Sequence, residues 1–155
     1  MPTVCIPARE LAPKRHIARA TRDTIERSFS AVGTDLRHDL GQRGELLAAE
    51  HLARRGFQII DRNYRTRWGE LDIVAFDGRT LAFCEVKTRR LTAGHGSPFD
   101  GLRPAKRAQV RKMAASWLIE RRERPYADEL RFDAIGVTLD ASGGLTCLEH
   151  LEGAF

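Results

Sequence analysis

The sequence has little cysteine and no long apolar run. Its three cysteines, Cys5, Cys84 and Cys147, are far apart and form no Cys-x-x-Cys pair, so neither a zinc knuckle nor a disulfide framework is predicted. No stretch approaches the roughly 18 apolar residues of a membrane span, and the first residues lack the basic region and long apolar core of a secretory signal. These absences predict a cytoplasmic protein without a membrane segment.

Positive charge is in excess. The chain of 155 residues has a net charge of +5, with 42% hydrophobic and 30% charged residues, a composition typical of one soluble globular domain. A basic chain suits a polyanionic partner, and DNA is the partner that we expect. The basic residues predicted to contact it flank an acidic segment or lie on the helix that follows; they are Arg62, Arg65, Arg67, Arg89, Arg90, Arg103, Lys106, Arg107 and Arg111.

Three of these arginines are spaced for one face of a helix. Arg103, Arg107 and Arg111 lie four residues apart, so they form a single exposed row. Such a row contacts phosphates along a nucleic acid, or it is simply a solvated helix face. The sequence favours neither alternative.

The acidic segment consists of two strand-like runs that meet at Asp77-Gly78, a strong signal for a β-hairpin. With these two residues as the loop, the numbers of opposed residues sum to 155, so Glu70 opposes Glu85. Alternation of side chains then predicts one face with Glu70, Asp72, Val74, Leu81, Phe83, Glu85 and Lys87, and a second face with Leu71, Cys84 and Val86. A loop of four residues would preserve these faces, whereas three or five would break them.

Carboxylates on an apolar strand need a partner. Opposed Glu70 and Glu85 repel each other unless a cation neutralises them, and Glu85 is followed two residues later by Lys87. The alternative is a half-exposed hairpin whose polar face meets water, but Leu81 and Phe83 on the same face argue against it. This pattern predicts a site for Mg²⁺, or Mn²⁺ in its place, and a phosphodiester.

The remaining pattern predicts a single α/β domain. A helix begins near Asp39 and stops at Gly56, a strand covers 57–63, and a second helix runs from Pro104 to about residue 122. Strands at 130–139 and 145–151 follow, so a parallel, right-handed crossover joins the hairpin to the first of them. Residues 1–36 are predicted to be a flexible basic extension, and residues 37–155 the folded domain.

Residues 39–155 resemble the bacterial YraN family of predicted nucleases. The resemblance rests on Gly41-Gln-Arg-Gly-Glu45, Gly56-Phe57, Arg62-Asn63-Tyr64-Arg65, Gly69-Glu-Leu-Asp72, Phe83-Cys-Glu-Val-Lys-Thr-Arg89, Lys106, Arg131-Phe132-Asp133 and Ala154-Phe155. It implies a restriction-endonuclease-like three-layer fold of the PD-(D/E)xK superfamily, similar to Holliday-junction resolvases. Its mixed central sheet has an α-β-β-β-α-β core, here followed by a further strand. Leu71 replaces the proline of the superfamily motif.

Chemical roles can be assigned within this segment. Asp72 and Glu85 are the predicted metal ligands, with the carbonyl of Val86 as a third oxygen and Glu70 as an additional ligand. Lys87 is predicted to orient the attacking water or to stabilise charge on the phosphate. The alternative for Lys87 is a structural salt bridge.

The resemblance extends the site to the first helix. It implies that Glu45 completes the metal shell, with Glu50 as the rival candidate. Weaker candidates are His95 as a base in a loop, Trp68 as a surface for base stacking, and Asp133, for which a structural role is favoured over metal binding.

The predicted function is a metal-dependent endonuclease that hydrolyses phosphodiester bonds in DNA, with branched or damaged DNA in repair or recombination as the expected substrate. A homodimer would suit cleavage of both strands. The alternative is a nucleic-acid-binding or scaffolding protein that retains the nuclease fold without turnover.

Overall fold

The structure is a computed structural model that describes residues 5–7, 36–91, 97–100 and 104–155. Its elements are β1 (Cys5–Pro7), α1 (Leu36–Arg54), β2 (Gln58–Thr66), β3 (Gly69–Phe76), β4 (Thr80–Arg90), α2 (Pro104–Glu120), β5 (Glu129–Leu139) and β6 (Leu145–Leu151). The predicted order of helices and strands from α1 to β6 is confirmed. The candidates His95 and Arg103 lie outside the described residues. Within the predicted extension 1–36, residues 5–7 form a strand, which the sequence pattern did not predict.

The strands form one mixed sheet in the order β1-β6-β5-β4-β3-β2. β4 pairs with β5 in parallel, and every other neighbouring pair is antiparallel. The parallel connection through α2 was therefore predicted correctly. β4 lies between β3 and β5, and its residues Thr80 to Val86 are all buried, as expected of a strand covered on both faces.

One helix covers each face of the sheet. Ala48 and Leu52 of α1 belong to a core cluster with Ile73 and Ile135. On the opposite face, Val110, Met113, Ala114 and Trp117 of α2 are fully buried in a second cluster. The molecule is thus a three-layer α/β/α fold of the restriction-endonuclease-like type, as the sequence predicted.

The hairpin between β3 and β4 turns one residue later than predicted. Phe76 opposes Leu81, so the opposed residues sum to 157 rather than 155. The turn centres on Gly78, with a φ of 100°, and Arg79. Oδ1 of Asp77 accepts hydrogen bonds from the backbone N–H groups of Arg79 and Thr80, which fixes this later turn. Because the sum changes by two, the turn itself preserves the predicted faces.

A buried polar network joins α1 to β5 and β6. The Asp133 side chain is fully buried and accepts hydrogen bonds from Arg131 and from His150 Nε2, the latter at 2.9 Å. A neutral His150 that donates from Nε2 accepts at Nδ1, which lies 3.2 Å from His51 Nε2. Burial, then His150 and Arg55, lowers the pKa of His51 to about 4. A structural role for Asp133 fits this bonding.

The cysteines have separate environments. Cys84 is a buried free thiol, and burial raises its pKa, which disfavours a nucleophilic role. Cys147 is disulfide-bonded, which the odd number and wide spacing of the cysteines did not predict. Neither described helix combines the length and apolar character that crossing a membrane requires.

Candidate active site

The site forms where β3 and β4 separate. The last pair in their ladder is Ile73 with Cys84. Beyond this pair, the Val86 N–H donates to the side chain of β3 and not to its backbone. The acceptor is Oδ2 of Asp72, at 2.6 Å. The predicted neighbours Asp72 and Val86 are thus brought into direct contact, beside Glu85.

Both β2 and β3 lose their alternation at this point. Leu71 packs in the cluster under α2 together with Val74, whereas regular alternation would place the two on opposite faces. In β2, Arg62 pairs with Ile73 and Tyr64 pairs with Leu71. Asn63, between them, has a φ of 54°, a left-handed backbone conformation that Asn tolerates better than most residues. The prediction that Glu70 and Asp72 share a face with Val74, and that Leu71 faces away from it, is therefore wrong.

The irregularity turns both carboxylates toward α1. A cleft of about 330 Å³ is lined by His38, Gly41, Gln42, Glu45, Asn63, Arg65, Glu70 and Asp72. Glu45 lines this cleft together with Asp72, whereas Glu50, the alternative candidate on the same helix, does not. Asn63 Nδ2 donates a hydrogen bond to Glu45 Oε2 at 2.9 Å. Asn63 was quoted in the family resemblance but was not predicted as a site residue.

A glycine sets the position of α1. Gly44 is buried, and a Cβ built there would overlap the side chain of Thr88 in β4. Only glycine lets the helix approach the strand this closely without displacing it. Because Glu45 is the next residue, this contact fixes its height above the sheet.

Glu85 lies deeper and is shared by two lysines. Its side chain is 4% exposed, and Oε1 is 2.6 Å from Lys87 Nζ and 2.8 Å from Lys106 Nζ. Its other oxygen, Oε2, is buried and has no hydrogen-bond partner among the described residues. Lys106, which was predicted to contact nucleic acid, thus lies within the candidate site, because α2 passes over this end of β4.

The carboxylates perturb one another. Burial and then the nearby Glu85 raise the pKa of Asp72. Burial also raises the pKa of Glu45, an effect that Arg62 opposes and Glu70 reinforces. Buried carboxyl groups of like charge are unfavourable when ionised unless cations lie close by, and such perturbed groups in a cleft are typical of functional sites.

The donor set fits a hard divalent cation. Carboxylate oxygens are the ligands that Mg²⁺ and Mn²⁺ prefer, and Oε2 of Glu85, which has no hydrogen-bond partner among the residues that the structure describes, offers one of them. In their present conformations, no three His, Cys, Asp or Glu side chains in the described ranges are grouped closely enough to hold a metal. Binding would therefore require side-chain movement around Glu85, where Lys87 and Lys106 now neutralise Oε1.

The predicted basic residues fall into different environments. Arg62 lies 3.9 Å from Glu45 and Arg65 lies 3.5 Å from Glu70, so both border the carboxylate cleft. Arg107 is exposed on α2. Arg111 is also exposed, but its Nη2 donates a hydrogen bond to the carbonyl of Phe155, so it is not a freely solvated member of the predicted row.

The comparisons with known proteins identify the family of the chain. Residues 44–137, which include Glu45, Asp72, Glu85, Lys87 and Lys106, match the model of the uncharacterised protein family UPF0102. A UPF0102 protein of Geobacter sulfurreducens is 48% identical over 126 residues, covering 80% of this chain and 95% of the relative. One of Chlorobium limicola is 50% identical over 123 residues, covering 76% and 92%. The chain therefore belongs to UPF0102, the YraN family, as the sequence motifs indicated.

Proposed function

We propose that the protein is a metal-dependent endonuclease that hydrolyses phosphodiester bonds in DNA. The observation that carries the proposal is Glu85, a buried carboxylate beside Asp72 and 2.6 Å from Lys87. One of its oxygens has no hydrogen-bond partner within the described part of the chain. A buried acceptor without a partner costs free energy, and a metal ligand is the role that would compensate for it.

The proposed ligands are Asp72 and Glu85, with Glu45, Glu70 and the Val86 carbonyl completing the shell. Mg²⁺ held there would supply charge for the phosphate and the leaving oxygen and would make bound water a better nucleophile. Lys87, whose side chain is 46% exposed, can reach a phosphate oxygen and stabilise the charge that develops as water attacks phosphorus and the P–O bond breaks. Arg62 and Arg65, at the edge of the cleft, would position the backbone phosphates.

A second candidate function is nucleic-acid binding without turnover. It is favoured by the ion pairs of Lys87 and Lys106 with Glu85, because two lysines neutralise the carboxylate without a metal. On this hypothesis Lys87 is a structural salt-bridge partner, as the sequence analysis allowed.

Cleavage assays separate the two functions. Purified protein is incubated with single-stranded, duplex, flap and four-way-junction DNA in the presence of Mg²⁺ or Mn²⁺. We expect cleavage of at least one form, lost in Glu85→Gln and Glu45→Gln but retained in Glu50→Gln, a matched control on the same helix. If the wild-type protein cuts none of the four DNA forms with either metal, the binding function replaces the endonuclease.

A further inference from the structure

We propose that a cavity beside the turn between β2 and β3 binds an unpaired nucleobase, so that the substrate carries a single-stranded nucleotide close to the scissile bond. The inference rests on the proposed nuclease function and specifies its substrate class. It concerns the turn cavity, which has a volume of about 470 Å³ and is lined by Arg65, Thr66, Arg67, Trp68, Ser116 and Glu120.

The turn that carries this cavity is fixed in place. Thr66 Oγ1 donates a hydrogen bond to the carbonyl of Gly69 at 3.0 Å and accepts one from the Trp68 N–H at 3.1 Å. The side chain of Gln109 in α2 donates to the carbonyl of Trp68. Gly69 has a φ of 135°, and a Cβ there would meet Gln109. A turn held this way presents Trp68 in one orientation, which reduces the entropy lost on binding.

Trp68 and Arg67 together form a stacking surface. Trp68 is partly buried and packs against the cluster under α2. The exposed guanidinium of Arg67 lies 4.2 Å from the centre of its ring. Nucleobases stack on both indole rings and guanidinium planes, and they do so without regard to sequence.

The polar groups of the cavity suit a base rather than an apolar ligand. Glu120 offers a carboxylate, the group that accepts hydrogen bonds from the exocyclic amino group of cytosine. Arg65, whose side chain is 83% exposed, and Arg67 supply positive charge for the adjoining phosphates. A base paired within a duplex keeps both faces stacked and its pairing edge occupied, so only an unpaired base can use this set of groups.

The cavity is also within reach of the carboxylates. Trp68 precedes Asp72 by four residues along the chain, a span of roughly 13 Å in extended conformation. The cavity lies on the α2 side of the sheet and the cleft with Asp72 on the α1 side, but Arg65 of the edge strand β2 lines both. A nucleic acid strand that passes around this edge with a phosphate at Asp72 can therefore place a nearby base at Trp68. Flaps, junctions and single strands provide such bases, whereas an intact duplex does not.

Tryptophan fluorescence tests the proposal in EDTA, where no cleavage occurs. The chain has two tryptophans, and Trp117 is fully buried, so Trp68 is the one that can report contact with a ligand. Oligo-dC and oligo-dT are expected to quench the fluorescence, and a fully paired duplex is not. The Trp68→Phe variant, which retains an aromatic ring, should lose the quenching.

Affinity measurements supply the second readout. Trp68→Ala should weaken binding of labelled oligo-dC by roughly 5- to 150-fold, the effect of removing one stacked base, and Arg67→Ala should weaken it without removing packed side-chain volume. Tyr126→Ala is the matched control, because Tyr126 is a highly exposed aromatic outside the cavity. Glu120→Gln should reduce the preference for oligo-dC over oligo-dT.

Equal quenching by duplex and single strand, or unchanged affinity in both Trp68→Ala and Arg67→Ala, would overturn the base-binding proposal. A protein that cuts DNA but gives either result retains the nuclease function and loses this inference. A protein that binds single strands through Trp68 but cuts nothing retains the inference about binding and loses the nuclease function.

Discussion

Lys106 Nζ lies 2.8 Å from Glu85 Oε1, on the same oxygen that Lys87 contacts. The two lysines come from different elements, one from α2 and one from β4, and their side chains are 24% and 46% exposed. A cation entering the site would compete with them for Glu85. The more exposed Lys87, once displaced from Glu85, can contact a phosphate.

The metal prediction concerns Asp72 and Glu85. Asp72→Asn or Glu85→Gln should abolish Mn²⁺ binding, because each removes a negatively charged ligand. Asn retains an oxygen that can accept the Val86 N–H, so the fold should persist. Titration calorimetry measures binding and circular dichroism checks the fold, with Glu50→Gln as the control. Unchanged Mn²⁺ affinity in both variants would refute the metal site.

The lysine prediction separates catalysis from binding. Lys87→Ala should lower the cleavage rate by about two orders of magnitude or more, the scale expected when one electrostatic stabiliser is removed, while DNA affinity falls much less because several arginines share the phosphates. Single-turnover cleavage and fluorescence anisotropy measure the two quantities on the same DNA. A parallel drop in rate and affinity would assign Lys87 to binding alone.

The basic row gives a prediction about salt. Replacing Arg103, Arg107 and Arg111 with Gln should flatten the dependence of DNA affinity on salt, by about 0.9 in the slope of log affinity against log salt for each phosphate that is no longer neutralised. Arg111→Gln should also lower stability slightly, since Arg111 donates to the carbonyl of Phe155. Binding titrations at several salt concentrations measure this slope. An unchanged slope in the triple variant would mean that the row makes no contact with DNA phosphates.

His51 makes stability depend on pH. The pKa of an unperturbed histidine is about 6.5, whereas the pKa of His51 in the folded protein is about 4, so between these values the unfolded chain binds more protons. The contribution of His51 to the free energy of unfolding is fully present above about pH 6.5 and is lost as the pH falls through about 4. The total loss is about 3 kcal/mol. The imidazole faces His150 and Arg55, and both of these neighbours also disfavour its charged form.

Urea unfolding at several pH values between about 4 and 7.5 measures this dependence. His51→Gln keeps a side-chain N–H that can donate to His150 but does not titrate, so its free energy of unfolding should change less across the interval. The same slope in wild type and variant would place the responsible protons on another group.

Much of the fold was accessible from the sequence because it depends on local pattern. The stripe from Val110 to Trp117 defined α2 and its buried face, and the alternation from Ile73 to Phe76 defined most of β3. β1 was missed because three residues that pair only with β6 carry too short a pattern to detect. The hairpin turn was predicted one residue too early. Asp-Gly favours a turn with Asp77 and Gly78 at its centre, but the hydrogen bonds from the N–H groups of Arg79 and Thr80 to the Asp77 side chain stabilise the later turn.

The site was less accessible because it depends on contacts between distant elements. The change of face at Asn63 and Asp72 breaks the alternation on which the prediction relied. The contact of Lys106 with Glu85 depends on how α2 crosses the sheet, which helical periodicity does not specify. The mutual orientation of these residues therefore could not be predicted from the sequence pattern.

The hydrogen bond from the Val86 N–H to Asp72 has a consequence for the choice of an inactive variant. The carboxylate of Asp72 acts as a spacer that keeps β3 and β4 apart, so an alanine at this position would remove a ligand and also free both strands to continue pairing into the cleft. Such a variant would confound missing chemistry with a narrowed entrance. Glu85→Gln leaves the spacer untouched and is the better variant for trapping a bound nucleic acid.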